Sequence, residues 1–162
     1  MQPSYPISSW EIVFPNDANA HNTMFGGKIM AIMDKMAGIA ASRYAHNLVV
    51  TASTEGVHFK LPVRVGERIE TTARVVWVGH SSMVVKVDVT AENFLSAERR
   101  DCTTAHFNMV ALDENGKPTK VPPLEVKTPA EMHDYAVAEI VKKKALERKQ
   151  KIEAEKQKSP RS

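Results

Sequence analysis

Asp34 interrupts an apolar, small-residue run, Phe25-Gly-Gly-Lys-Ile-Met-Ala-Ile-Met-Asp34-Lys-Met-Ala-Gly-Ile-Ala-Ala. Aspartate is disfavoured inside a helix, and a desolvated carboxylate is costly unless it is paired, so one at this place needs a reason. Burial would make its pKa and its reactivity adjustable. Fifteen positions upstream stands Asn19, in Pro15-Asn-Asp-Ala-Asn19, and between the two lies the Gly26-Gly27 pair, placed to open the same helix. Together these residues point to a water-activating carboxylate beside an oxyanion-binding pocket.

The other chemistry-bearing residues form no comparable pattern. His21, His46, His80, His106 and His133 show no ligand spacing, so no metal is expected. The single cysteine, Cys102, cannot close an intramolecular disulfide and reads as a buried strand residue in a protein of a reducing cytoplasm. His58, in Val-His-Phe, reads as a strand histidine packed at an interface.

The elements that must carry these residues follow from periodicity. Residues 8–14 read as a short strand closed by Pro15, and residues 16–23 as a polar loop. A helix is expected from about Met24 to His46, long enough at roughly 1.5 Å per residue to cross a small domain. Its apolar residues surround most of its circumference and its glycines and alanines permit close approach, the pattern of a buried helix. Residues 48–59, 67–78, 81–92 and 99–112 then read as strands, the middle two joined as a hairpin at Gly79-His80 and the last closed by Asp113-Glu-Asn-Gly116. With no helices between these strands, the sheet should be antiparallel and wrap the long helix, an α+β arrangement. Residues 1–125 would form that domain. Residues 126–162 would add a C-terminal helix over 130–146 and a charged tail fraying into disorder.

The 162-residue chain carries a formal charge of +3, but residues 139–162 hold nine Lys and Arg against four Glu, and the remainder is slightly acidic. Basicity confined to a tail argues against nucleic acid as a partner. The longest apolar stretch, residues 24–45, contains Lys28, Asp34, Lys35 and Arg43, too many charges for stable membrane insertion. The N-terminus lacks the features of a secretory signal.

In order, Val13-Phe-Pro-Asn-Asp-Ala-Asn19, Met24-Phe-Gly-Gly27, Met33-Asp34, Thr51 to Phe59 with Pro62-Val-Arg-Val-Gly-Glu67, and Val84 to Glu92 resemble the acyl-CoA thioesterases of the hotdog fold, in the branch of YciA-type enzymes and cytosolic acyl-CoA hydrolases. The resemblance covers residues 8–123. It implies a helix wrapped by an antiparallel sheet, dimers assembling into a trimer of dimers, and hydrolysis of fatty acyl-CoA to free acid and CoA with no cofactor beyond the CoA of the substrate. Asp34 would be general base or nucleophile. Asn19 from the opposing protomer and the Gly27 amide, with Gly26 beside it, would polarise the thioester. Thr54 would position water, Arg64, His80, Ser81 and Ser82 would meet the CoA nucleotide, and Met30 and Met33 with the Val49–Phe59 strand would line the acyl slot. A hotdog dehydratase is disfavoured, because the His58 surroundings lack the histidine motifs of those enzymes. A non-enzymatic acyl-CoA sensor of the same fold is the alternative function.

Overall fold

The computed structural model describes residues 1–158. Strand β1 spans Ile7–Ile12, helix α1 Gly26–Ala45, and strands β2 to β5 Leu48–Phe59, Arg68–Val78, Ser82–Glu92 and Arg99–Leu112. Helix α2 follows at Pro129–Lys158. The strands form one antiparallel sheet in the order β1-β3-β4-β5-β2, so the strand that leaves α1 lies at a free edge.

Period-two alternation builds the sheet's two faces. In β4, Met83, Val85, Val87, Val89 and Ala91 join the main core with α1, whereas Lys86, Asp88 and Thr90, between them, are only half-buried on the opposite face. A fully buried core of Phe107, Met33, Ile69, Met83 and Met109 locks α1 onto the sheet. On the opposite face α2 packs Ala138 against Val76, Val84 and Trp77. Glu131 and Asp134 of α2 meet Arg74, and Asp134 also meets Lys86 at 2.9 Å.

Helix α1 starts two residues later than the sequence suggests. The extended backbone of Phe25 serves as its N-cap, and His46, at φ +52°, turns the chain into β2. Its burial is one-sided. Ile29, Ile32, Met33, Met36, Ala37, Ala40, Ala41 and Tyr44 face the sheet, but Gly27, Ala31, Asp34, Lys35 and Ile39 are exposed in the single protomer. The expectation of a helix buried all round is thereby corrected to a helix with one open stripe.

Helix α2 continues as helix past Leu146, where fraying was expected, to Lys158; residues 159–162 of the expected tail lie outside the described residues. The β5 turn is as expected: Asp113 Oδ1 accepts from the Asn115 and Lys117 amides, and Gly116 takes φ +75°.

Candidate active site

The open stripe of α1 and the edge strand β2 form one continuous surface, and Asp34 stands on it. Its Oδ1 accepts a hydrogen bond from Thr51 Oγ1 at 2.6 Å. Asp34 is solvent-exposed in the protomer, contrary to the desolvated carboxylate expected from its apolar neighbours. Those neighbours turn to the sheet, and the carboxylate turns away from it.

The strand threonine that touches Asp34 is Thr51, three positions before Thr54. The β2–β5 register shifts between Thr51 and Ser53, so Ala52 is an extra residue in the strand. Past this bulge Ser53 and Glu55 face α2, which leaves Thr54 on the α1 side and exposed. Sequence reasoning singled out the strand and missed the residue; a threonine seventeen positions after Asp34 carries no local signal of its own.

Asn19 lies at the other end of α1. Its Oδ1 accepts from the His21 amide at 2.9 Å and from the Thr23 amide and hydroxyl at 3.2 Å each, closing the loop that feeds the helix. Its Nδ2 takes no part in these bonds. The loop is pinned to α1 by Lys28 Nζ, which meets Asp17 Oδ1 at 2.8 Å and the Asn16 carbonyl at 2.9 Å. That bond and the Phe14 amide hold the Asp17 carboxyl below the usual carboxylate range.

Gly26 and Gly27 are the first two residues of α1, and among the described residues neither amide has a hydrogen-bond partner. Space is tight around both: a Cβ on Gly26 would sit 3.3 Å from the Phe59 ring, and one on Gly27 would sit 2.6 Å from the Phe25 ring. Asn19, Gly26, Ile29, Phe59, Leu61 and Pro62 line a groove of about 380 Å³ at this end. Arg64 belongs to the same end, paired in backbone with Thr23 and exposed.

The remaining expected contacts divide differently. Met30 is half-buried on α1, whereas Met33 is fully buried in the core and cannot line an acyl slot. His80, Ser81 and Ser82 lie at the opposite end of the sheet from Arg64. There the Ser81 carbonyl takes the Ala111 amide and the His80 carbonyl the Val121 amide. Within one protomer, then, Asp34 and Thr51 stand together, Asn19, Gly26, Gly27 and Arg64 stand together, and the two groups are apart. Gly27 and Asp34 are seven residues apart along the helix, about 10 Å of rise.

Of the other titratable groups, Cys102 is fully buried and burial pushes its thiol up, so it is no nucleophile. His58 is exposed on β2 at a second bulge, between Glu55 and His58. Among the described residues no three His, Cys, Asp or Glu side chains come close enough to hold a metal ion, and no helix is long and apolar enough to cross a membrane.

Known proteins resemble this chain in sequence and fold. The thioesterase superfamily model matches residues 21–97. An acyl-CoA thioester hydrolase of Bacillus subtilis, YkhA, is 42% identical over 127 residues, 77% of this chain and 74% of its own. A hexameric acyl-CoA thioesterase superposes with a TM-score of 0.85 at 38% identity, covering 88% of this chain and 92% of its own. An acyl-CoA hydrolase of Staphylococcus aureus, solved with butyryl-CoA and CoA, superposes with a TM-score of 0.82 at 36% identity, over 92% of this chain and 93% of that one. Of that enzyme, alanine variants have been solved at an asparagine, an aspartate and a threonine spaced by fifteen and then seventeen positions. With its five-stranded antiparallel sheet around α1, this chain has the hotdog fold and belongs to the thioesterase superfamily, in the branch of the YkhA- and YciA-type acyl-CoA thioester hydrolases.

Proposed function

We propose that this protein hydrolyses acyl-CoA thioesters to the free acid and CoA, at sites shared between two protomers. The observation that carries the reading is the Asp34–Thr51 hydrogen bond on an open surface. Asn19, Asp34 and Thr51 are also spaced by fifteen and seventeen positions, as are the three residues replaced in the Staphylococcus aureus hydrolase.

Asp34 takes a proton from water as the water oxygen bonds to the thioester carbon, or itself attacks that carbon to form an anhydride that water then opens. Thr51 holds one carboxylate oxygen and leaves the other free to act. The carbonyl oxygen gains negative charge and is held by the Gly27 amide, with Gly26 beside it, and by Asn19 Nδ2. With water as nucleophile, the adduct collapses by breaking the C–S bond and releases the acid. In the anhydride route the C–S bond breaks as the anhydride forms, and water then frees the acid. In both, the CoA thiolate takes up a proton given up by water.

A partner supplies what one protomer lacks. On α1, exposed Ala31 lies midway between Gly27 and residue 35, so a two-fold axis near Ala31 with antiparallel helices would bring the Gly27 end of one helix beside Asp34 of the other. Small side chains there allow the close approach. The neighbouring β2 surface is apolar, with Leu48 and Val50 exposed, and its edge is unpaired. Assembly of dimers into a trimer of dimers is supported by the hexameric relative. Arg64 of one protomer and His80, Ser81 and Ser82 of another, which lie at opposite ends of the sheet within one chain, are proposed to contact the CoA nucleotide, Thr54 to hold water, and Met30 with β2 to line the acyl slot. A cytoplasmic setting goes with the single free cysteine.

The test is CoA release from acyl-CoAs running from acetyl to palmitoyl, with wild type beside Asp34→Ala and Asn19→Ala. Turnover that vanishes in both variants at unchanged solution size supports the reading. Ligand binding without turnover on any member replaces it with the sensor.

A further inference from the structure

A line of hydrogen bonds runs behind the active-site strand and ends on the C-terminal helix. Arg148 Nη2 of α2 donates to Glu55 Oε2 of β2 at 2.5 Å. Glu55 Oε1 accepts from Ser53 Oγ at 3.2 Å, and Ser53 Oγ accepts from Asn108 Nδ2 of β5 at 2.8 Å. Glu55 is 6% exposed and Asn108 4%, so these polar groups destabilise the fold if left without partners. Arg148 is the cation that answers Glu55, and it lies 93 positions further along the chain. Lys142, six residues earlier on α2, sits 5.7 Å from the centre of the Trp77 ring and adds a second positive charge near Glu55.

Strand β2 needs such an anchor. One of its flanks bonds to β5 and the other is free. Its register breaks twice, between Thr51 and Ser53 and between Glu55 and His58, with Gly56 at φ +58° inside the second break. A strand interrupted at two places and bonded on one side holds its phase weakly, and a slip of one residue carries every side chain to the other face. In β2 the phase decides whether Thr51 meets Asp34. Ser53 and Glu55, the residues in the line of bonds, follow directly on the bulge that sets that phase.

We infer that the Glu55–Arg148 pair is a positioning device, through which α2 holds bulged β2 in the phase that presents Thr51 to Asp34. The inference rests on the reading of Asp34 and Thr51 as the hydrolytic pair. Arg148 touches no reacting atom and acts through the strand. The Asn19–Phe59 groove lies away from this anchor, whereas Thr51 stands two residues from Ser53, so loss of the anchor falls on the chemical step more than on substrate binding. It also gives a physical reason for the helix to run on beyond Leu146, because a chain ending there would leave Glu55 buried and unpaired.

The experiment compares Arg148→Ala, Arg148→Lys and Lys149→Ala with wild type, by steady-state kinetics on an acyl-CoA substrate and by amide hydrogen exchange. Arg148 is more than half exposed, so its replacement leaves the core intact. Arg148→Ala is expected to lower kcat on the order of tenfold, short of the ~10²-fold loss that outright misplacement can bring, with KM changed by less than about twofold. Arg148→Lys should restore most of kcat, and Lys149→Ala should match wild type. Exchange at residues 51–55 should quicken in Arg148→Ala alone, with β3 and β4 unchanged. Wild-type kcat in Arg148→Ala, an equal loss in Lys149→Ala, or unchanged exchange at 51–55 overturns the inference. If wild type turns over no acyl-CoA, the proposed function fails, and the exchange data still decide whether Arg148 holds the strand.

Discussion

Thr51 Oγ1 donates to Asp34 Oδ1 at 2.6 Å, joining the middle of α1 to the free edge of the sheet where both are open to solvent. A hydrogen bond to one carboxylate oxygen fixes the rotation of the group and directs the second oxygen outward. Because both residues are exposed, their replacement bears on chemistry more than on stability. Asp34→Asn keeps the shape and removes the ionised carboxylate, and is expected to lower kcat by about 10³-fold or more while stability moves by less than about 0.5 kcal/mol. Thr51→Val keeps the volume and removes the donor, with an expected loss of about ten- to a hundredfold. Steady-state kinetics beside urea unfolding check both; equal kcat in Thr51→Val and wild type would remove the threonine from the site.

Asn19 has two separable roles. Its carbonyl oxygen closes the 19–23 loop through three bonds, and its amide nitrogen is the group available to a substrate oxygen. Asn19→Asp keeps the acceptor and deletes the donor. The expected outcome is near wild-type thermal stability with activity lowered by about 10²-fold, the scale of one lost oxyanion donor. Asn19→Ala loses both roles and should unfold more easily by about 1 kcal/mol as well. Thermal melts and turnover on the two variants separate the roles; equal activity losses with equal melts would leave the loop bonds with no measurable share.

The elements were legible because their periods differ. The alternation of Met83, Val85, Val87 and Val89 with polar residues can only be a half-buried strand, and the small residues of 26–41 mark a helix packed closely. The open stripe of α1 was not legible, since Ala31 and Ile39 are as apolar as the Ala37 and Ile32 that face the sheet. Asp34 stood out because a lone carboxylate in an apolar helix is unusual chemistry, and Asn19 because it precedes that helix with the Gly26-Gly27 pair between them. Thr51 did not, because a one-residue bulge at Ala52 resets the phase of the strand and leaves no mark in composition. The far half of α2 read as tail for a similar reason: the contact that holds it, Arg148 to Glu55, joins residues 93 positions apart.

His106 gives the fold a pH dependence of definite sign. It is half-buried on the face under α2, with Lys86, Asp88 and Asp134 around it, and burial first, then Lys86, lowers its pKa. The unfolded chain holds the ordinary value, so between the two pKa values the unfolded state binds more protons. The stabilising contribution is therefore complete above about pH 6.5 and is lost as pH falls through the lowered folded value. Urea unfolding of wild type and His106→Gln at pH 7.5 and 5.5 measures it. Wild type should lose more stability between the two pH values than the variant does, and parallel losses would place the acid sensitivity elsewhere.

A site shared by two protomers has a consequence that no single-chain site can imitate. Asp34 belongs to one helix and the Asn19 and Gly27 group lies about 10 Å away along its own helix, so an Asp34→Ala protomer still offers an intact Asn19, and an Asn19→Ala protomer an intact Asp34. In a mixed dimer one of the two sites then carries both changes and the other carries none. Each variant alone should be inactive, and co-refolding the two in equal amounts should restore about a quarter of wild-type turnover, since half of randomly paired dimers are mixed and each has one complete site. Ala31→Arg should abolish the effect, because a long charged side chain at the proposed two-fold separates the helices. Size-exclusion chromatography on that variant reads the loss of the dimer directly. No recovery on mixing, under conditions where mass spectrometry detects the mixed species, would confine Asp34 and Asn19 to one protomer and require a movement of α1 that its packing on the core opposes.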